Sequence, residues 1–200
     1  MKKTVLFVLL PQYADWEAAY LASALAMLGQ GALQTKVVGL SREPVESIGG
    51  FRTLPDYALD ELPVEFDALI LIGGMAWRSE AARRVEPLVK SCVAAGKLLG
   101  GICDAAGFLG TTGVLNRVRH TANDLEDLRH WAGKAYAGEA LYVREQAVRD
   151  ANIVTANGTA ALEFAREVLL ALEVVPERKV EEWYAFHKLG FYGAPMPDMG

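Results

Sequence analysis

The sequence predicts an α/β fold in which a doubly wound, mostly parallel sheet carries helices on both faces. Apolar runs at residues 5–10 and 68–72 show no polar alternation, which is typical of strands buried on both faces. Segments with helical composition lie between such runs, and this alternation favours right-handed βαβ crossovers. Hydrophobic residues make up 52% of the 200 residues, enough for one buried core.

The elements and the places where ligands would bind follow from this pattern. Strands are expected at residues 5–10, 36–40, 68–72, 97–103 and 153–156, and helices at residues 15–28, 79–95 and 159–172. Asp15 is placed to cap the first helix and Gly29 to end it. Because sites in such folds collect where parallel strands end, four segments are of interest: residues 11–17, 73–78, 103–106 and 157–159.

The chain is expected to form a flavodoxin-like domain over residues 1–173, with residues 174–200 as a C-terminal extension packed on it. The extension carries surplus aromatic residues: Trp183, Tyr184, Phe191 and Tyr192. Aromatic surface of this kind is more than a monomer usually leaves in water. We therefore expect self-association, most simply a homodimer.

Charge and composition limit the classes of partner that the chain is expected to bind. Twenty Lys and Arg against 25 Asp and Glu give a net charge of −5 with no basic run, so nucleic acid is not an expected partner. The uncharged stretch at residues 18–35 contains glycines and glutamines and is expected to be a buried helix with its end, so a membrane is not expected either. A small-molecule substrate remains.

The number and spacing of the cysteines and the spacing of the glycines argue against a bound metal and against a nucleotide cofactor. Two cysteines without CxxC spacing predict neither a disulfide framework nor a metal site, which makes the cytoplasm the expected compartment. GGMAW at residues 73–77 lacks the G-x-G-x-x-G spacing of a nucleotide site. No metal and no cofactor are expected.

The segment GGICDAAG at residues 100–107 carries the clearest chemical signal. A nucleophile on a sharp strand-to-helix turn has a strained backbone, and small residues two positions before and after it let strand and helix approach. Gly101 and Ala105 hold those positions around Cys103. A helix starting at Asp104 would point its N–H groups at the sulfur and lower the thiol pKa. The alternative is a buried core thiol, the interpretation that also suits Cys92 in its helical segment.

Four motifs occur in order: VLFVLL leading to DWE at residues 5–17, IGG at 72–74, GIC at 101–103, and NGTAALEFA at 157–165. Together they resemble the DJ-1/PfpI (ThiJ) family of the class I glutamine amidotransferase-like superfamily, over residues 4 to about 172. Proteins of this kind are described as cysteine peptidases, amidotransferase-like proteins, glyoxalases or chaperone-like stress proteins. The resemblance implies that Cys103 is a nucleophile.

The resemblance also implies roles for three more residues. Glu17 matches a glutamate whose carboxyl group hydrogen-bonds the nucleophile, and a carboxyl group beside a thiolate is expected to keep its proton. A solvated glutamate in the first helical turn is the alternative. Gly74 and Asp104 match the backbone donors of an oxyanion hole. The Asp104 carboxylate itself is expected to turn outward to solvent.

The third member of the site departs from the family pattern, in which a histidine follows the cysteine directly or about twenty residues later. Asp104 and Asn123 stand in those places, and His120 lies three residues before Asn123. Three residues reverse the side-chain direction on an extended segment, so only one of Asn123 and His120 can face Cys103. Without an imidazole beside the thiol, a peptidase or glutaminase is less well supported.

Three functions compete. The first is a cysteine-dependent enzyme acting on a small carbonyl or acyl/amide compound, as a hydrolase, glyoxalase or amidotransferase-like protein. The second is a redox sensor whose Cys103 is oxidised once per signal. The third is a chaperone-like or binding protein with a vestigial site. Turnover separates the first from the others.

Overall fold

A seven-stranded sheet forms the centre of the structure, a computed structural model that describes residues 2–63 and 65–197. The strands are β1 (Lys3–Val8), β2 (Leu33–Gly39), β3 (Val45–Glu46), β4 (Arg52–Thr53), β5 (Tyr57–Ala58), β6 (Ala68–Leu71), β7 (Leu98–Ile102), β8 (Ala147–Asp150) and β9 (Ile153–Ala156). The helices are α1 (Asp15–Leu28), α2 (Glu86–Ala94), α3 (Asp104–Thr111), α4 (Leu125–Ala132), α5 (Ala161–Leu172) and α6 (Glu177–Leu189), with short 3-10 turns at Ala81–Val85, Gly133–Ala135 and Glu139–Leu141.

The strand order is β5-β2-β1-β6-β7-β9-β8. Every neighbouring pair is parallel except β8 and β9, and β3 and β4 form a separate antiparallel hairpin. Parallel neighbours bring the carboxyl ends of β1, β6, β7 and β9 to one edge. The mostly parallel α/β fold expected from the sequence is confirmed.

The two faces of the sheet carry separate helical layers. Because side chains alternate along a strand, Val5 and Phe7 of β1 pack with α1, α5 and α6, whereas Leu6 and Val8 pack with α2, α3 and α4. All four side chains are buried. The uninterrupted apolar run of β1 is therefore the direct result of burial on both faces.

Some local expectations were wrong. Ala14, not Asp15, is the N-cap of α1, and the Asp15 carboxylate instead accepts the Gly49 N–H at 2.9 Å. The single helix expected at residues 79–95 is a 3-10 turn followed by α2, with Pro87 in its first turn.

The C-terminal extension forms α6, which packs on α5. Trp183 is 1% exposed and belongs to the same core as α1 and α5. The expectation that it adds aromatic surface to the extension was therefore wrong. Tyr184 is partly buried there and its hydroxyl group donates to Glu163 at 3.1 Å. Phe191 and Tyr192 are exposed. Among the described residues, no helix combines the length and apolarity needed to cross a membrane.

Candidate active site

The four strand-end segments converge at one edge of the sheet. Gly73 follows β6, Cys103 follows β7 and Gly158 follows β9. The start of α1 is fastened to this edge because the Ala14 N–H donates to the Gly73 carbonyl at 3.0 Å. Glu17, on the first turn of α1, is thereby brought beside Cys103.

Cys103 occupies a sharp turn between β7 and α3. Its φ of 61° and ψ of −132° lie in a region that residues other than glycine rarely adopt. Its N–H donates to the Ala156 carbonyl at 2.9 Å, which ties the turn to β9. A Cβ atom at Gly101 would lie 2.7 Å from Leu109 Cδ1, so the glycine lets strand and helix approach without displacing the Leu109 side chain. The thiol is partly exposed.

Two glycines enclose the Glu17 carboxyl group and the Cys103 side chain. A Cβ atom at Gly73 would clash with Glu17 Oε2 and Cys103 Cβ. One at Gly158 would lie 2.9 Å from Cys103 Sγ and 3.2 Å from Glu17 Oε1. The Trp16 indole N–H donates to the Gly158 carbonyl at 3.1 Å and holds that segment in place. Gly158 is a site residue that the sequence analysis placed only within a strand-end segment.

The Glu17 side chain is completely buried, so it is not the solvated glutamate considered as an alternative. Burial raises its pKa from 4.5 to about 7, while the Cys103 thiol and the Gly73 N–H oppose the rise. Neither carboxyl oxygen has a well-formed hydrogen bond within the described residues. Burial outweighs those two contacts, and the carboxyl group therefore favours its protonated form.

The Cys103 thiol titrates together with Glu17. Burial and then the charge of an ionised Glu17 raise the thiol pKa, whereas the Asn123 amide and the Asp104 N–H lower it as hydrogen-bond donors. The net direction is opposite to the lowering expected from the helix start alone, because that expectation left out burial. Protonation of Glu17 removes the repulsion, so the thiolate is best tolerated when the proton stays on the carboxyl group.

Asn123, and not His120, faces the thiol. Asn123 Nδ2 lies 3.4 Å from Cys103 Sγ, and its Oδ1 accepts the Gly158 N–H at 2.8 Å. His120 is buried and bonds the Val118 carbonyl at 2.8 Å and the Tyr136 hydroxyl group at 2.7 Å through its two ring nitrogens. Within the described residues, no three metal-ligating side chains converge.

The two backbone donors expected to form an oxyanion hole are the N–H groups of Gly74 and Asp104. Among the described residues, no acceptor takes the Gly74 N–H. Gly74 has a φ of 144° and lies against Gln12 and Tyr13, where a Cβ atom would clash. The Asp104 N–H begins α3 and faces the sulfur closely enough to affect its pKa.

Sequence reasoning missed a cluster around Asp104. Its carboxylate does not turn to solvent but accepts from Arg78 Nε at 3.0 Å. Arg78 also pairs with Asp127 on α4, and its guanidinium carbon lies 4.6 Å from the Trp131 ring centroid. Arg78 falls in the expected segment at residues 73–78, but only the folding of α4 against α3 shows its partners.

Comparison with known proteins identifies the family of the chain. The family model described as DJ-1/PfpI family matches residues 3–171. The chain belongs to the DJ-1/PfpI family. It is 37% identical over 191 residues to a Bacillus subtilis protein named uncharacterized protease YdeA, an alignment that covers 95% of this chain and 93% of that protein.

Two further DJ-1/PfpI relatives differ in their names. A Caenorhabditis elegans protein named glutathione-independent glyoxalase DJR-1.2 is 30% identical over 178 residues, covering 86% of this chain and 90% of the relative. The crystal structure of the DJ-1 superfamily protein Atu0886 from Agrobacterium tumefaciens superimposes with a TM-score of 0.84 at 38% identity, covering 93% of this chain and 98% of that one.

Proposed function

We propose that the protein is an enzyme that uses the Cys103 thiolate as a nucleophile on a small carbonyl compound, with a 1,2-dicarbonyl as the substrate class. The observation that carries the proposal is the buried Glu17 carboxyl group beside the thiol, whose pKa burial raises to about 7. A group that titrates near neutral pH can both give and take a proton during one turnover.

The same geometry favours carbonyl chemistry over peptide or amide hydrolysis. Expulsion of an amine requires a general acid that reaches the leaving nitrogen, which is the task of the imidazole in thiol hydrolases. His120 is bonded to Val118 and Tyr136 and Asn123 does not titrate, so Glu17 is the acid–base group at the sulfur. An addition followed by a proton shift between neighbouring carbons needs only such a group. The relative named as a glyoxalase supports this chemistry.

The proposed reaction passes through a thioester on Cys103. The thiolate adds to the aldehyde carbon, and the displaced π electrons form an oxyanion held by the N–H groups of Gly74 and Asp104 until Glu17 protonates it. The Glu17 carboxylate then takes the carbon-bound proton, which leaves an enediolate, and returns it to the neighbouring carbon. The hydroxyl proton moves to the oxygen of that neighbouring carbon, and the first carbon, now a carbonyl bonded to sulfur, is a thioester. Water cleaves the carbon–sulfur bond, releasing a 2-hydroxy carboxylate and the free thiol.

Methylglyoxal tests the proposal, with glutamine, an ester and a peptide assayed in parallel. We expect wild type to consume methylglyoxal and release an equal amount of lactate over many turnovers, and Cys103→Ser to release none. Turnover of the peptide or glutamine alone would overturn the substrate class. Reaction of Cys103 with peroxide once per chain, without turnover of any compound, would favour the redox sensor instead.

We also propose that the protein is a homodimer. Exposed apolar side chains near the C-terminus support this: Leu189, Phe191, Tyr192 and Met196. Light scattering at micromolar concentration is expected to give twice the chain mass, and a monomer mass would refute the proposal.

A further inference from the structure

Arg78, near the candidate site, contacts two carboxylates and an aromatic ring. Its Nε and Nη2 lie 3.0 and 3.4 Å from the two Asp104 carboxylate oxygens, and its Nη1 lies 3.1 Å from Asp127 Oδ1. The Trp131 ring covers the guanidinium group. The loop after β6, the start of α3 and the helix α4 are thus joined through one side chain.

The Asp104 carboxylate lies close to Cys103 and Glu17, the two groups proposed to react. Asn123 Nδ2 lies 3.4 Å from Cys103 Sγ and 3.5 Å from Asp104 Oδ1, so one amide nitrogen reaches both atoms. Asp104 also contributes to the raised pKa of Glu17. A carboxylate in this position opposes a thiolate unless a cation neutralises it.

Four of the five N–H groups of Arg78 are directed at two carboxylates. Its Nε and both terminal nitrogens are engaged by two carboxylates, and the Trp131 face fixes the plane of the group. The charged and titratable groups around the sulfur are Glu17 from α1 and Asp104 from α3, with Arg78, Asp127 and His130 behind them. Arg78 is the cation that directly contacts Asp104.

We propose that Arg78 is a positioning residue for Cys103. It neutralises the Asp104 carboxylate and holds it away from the sulfur, so that α3 presents N–H groups rather than a negative charge to the reacting atoms. The inference rests on the proposed role of Cys103 as the nucleophile. In place of a histidine after the cysteine, the chain has an aspartate paired with a fixed arginine.

The test measures the rate of iodoacetamide alkylation at Cys103 against pH, with the modified peptide quantified by mass spectrometry. Arg78→Gln should shift the Cys103 profile to higher pH and slow alkylation at pH 7 by about threefold to tenfold. Arg78→Lys keeps the charge without the two-pronged geometry and should give a smaller shift. Arg78→Gln combined with Asp104→Asn should return the rate to the wild-type value, which a merely structural role of Arg78 would not produce.

Arg166 provides the matched control. It also lies between two carboxylates, Glu167 and Glu181, and its guanidinium carbon is 5.3 Å from the Tyr184 ring centroid. These residues belong to α5 and α6 rather than to the elements that carry Arg78 and its partners. Arg166→Gln should leave the Cys103 profile unchanged.

Two results would overturn the proposal: an Arg78→Gln profile that superimposes on wild type, or a double variant that stays slow. Should Arg78→Gln not fold, the Arg78→Lys profile decides in the same way. A wild-type Cys103 that reacts no faster than Cys92 would refute the nucleophile itself, whereas a fast Cys103 indifferent to Arg78 refutes only this inference.

Discussion

The two cysteines lie in regions that treat the same side chain differently. Cys92 lies on α2, fully buried, with its thiol 3.5 Å from the Leu98 carbonyl. Cys103 lies on a strained turn, partly exposed, with Glu17, Asn123 and Gly158 around its sulfur. Burial raises the pKa of both thiols.

Ionisation in isolation therefore does not distinguish the two sites. What differs is access and the neighbouring proton: Cys103 can be reached from solvent, and Glu17 beside it can hold a proton while the sulfur is ionised. Reactivity here is a property of the turn and its neighbours rather than of the residue type.

The largest expected effect is the difference between the two thiols themselves. At pH 7.5, iodoacetamide should modify Cys103 at least about a hundredfold faster than Cys92, because Cys92 reacts only after local opening of the core. Mass spectrometry of partially labelled protein measures both rates in one sample. Equal rates, or a faster Cys92, would contradict the assignment of Cys103 as nucleophile.

Gly158→Ala should crowd the Cys103 thiol and slow its alkylation. The added methyl group would lie 2.9 Å from Sγ and 3.2 Å from Glu17 Oε1, so alkylation should slow by about tenfold to a hundredfold. Thr159→Ala, an exposed change one residue away, is the control and should leave the rate unchanged. A Gly158→Ala protein that folds and reacts at the wild-type rate would show that the sulfur does not depend on this clearance.

Glu17 variants sharpen the comparison by removing the neighbouring proton. At pH 6, where Glu17 holds its proton, Glu17→Leu should slow alkylation of Cys103 by about tenfold, and Glu17→Gln, which keeps a donor, should slow it less. Superimposable profiles for all three proteins would reduce Glu17 to a helix-start residue.

Glu17 should also make the free energy of unfolding depend on pH. Its pKa is raised from 4.5 to about 7 in the folded protein, so its stabilising contribution is complete below pH 4.5 and is lost as the pH rises through about 7. Relative to Glu17→Gln, the wild-type free energy of unfolding should fall by roughly 3 kcal/mol across this interval. Denaturant unfolding at several pH values measures the difference, and parallel curves would contradict the buried, protonated carboxyl group.

The smallest effect on Cys103 is expected from His120. His120→Leu leaves the Tyr136 hydroxyl group without its partner and should destabilise the protein by about 1–3 kcal/mol, with alkylation within twofold of wild type. Thermal unfolding and alkylation of the same sample give both numbers. A folded His120→Leu variant whose Cys103 is alkylated much more slowly than in wild type would show that the imidazole takes part in the reaction.

The sequence predicted the sheet because its central strands are uninterrupted apolar runs, a direct signature of burial on both faces. It missed β8, an edge strand of four residues in which Val148 is the buried side chain. It also missed α4, although the Asp124 side chain, which caps it through the Asp127 N–H, was a readable signal.

The site divides in the same way. The positions of Cys103 and Glu17 follow from local motifs, since a strand end and a first helical turn place them. The Asp104 carboxylate was wrongly expected in solvent because its partner, Arg78, is 26 residues earlier in the chain and is itself held by a helix that the sequence analysis did not predict. Long-range pairing of this kind leaves no periodicity to read.

The backbone conformation of Cys103 lowers the stability of the protein while it places the thiol at the site, so selection for stability and selection for activity act in opposite directions at this residue. A φ of 61° with a ψ of −132° disfavours any side chain by about 1–3 kcal/mol, and glycine would relieve that strain. A screen that rewards heat resistance alone should therefore enrich Cys103→Gly, a protein without its thiol. Directed evolution of this scaffold has to select for both properties at once, because the turn that exposes the sulfur is also where the fold gives up stability.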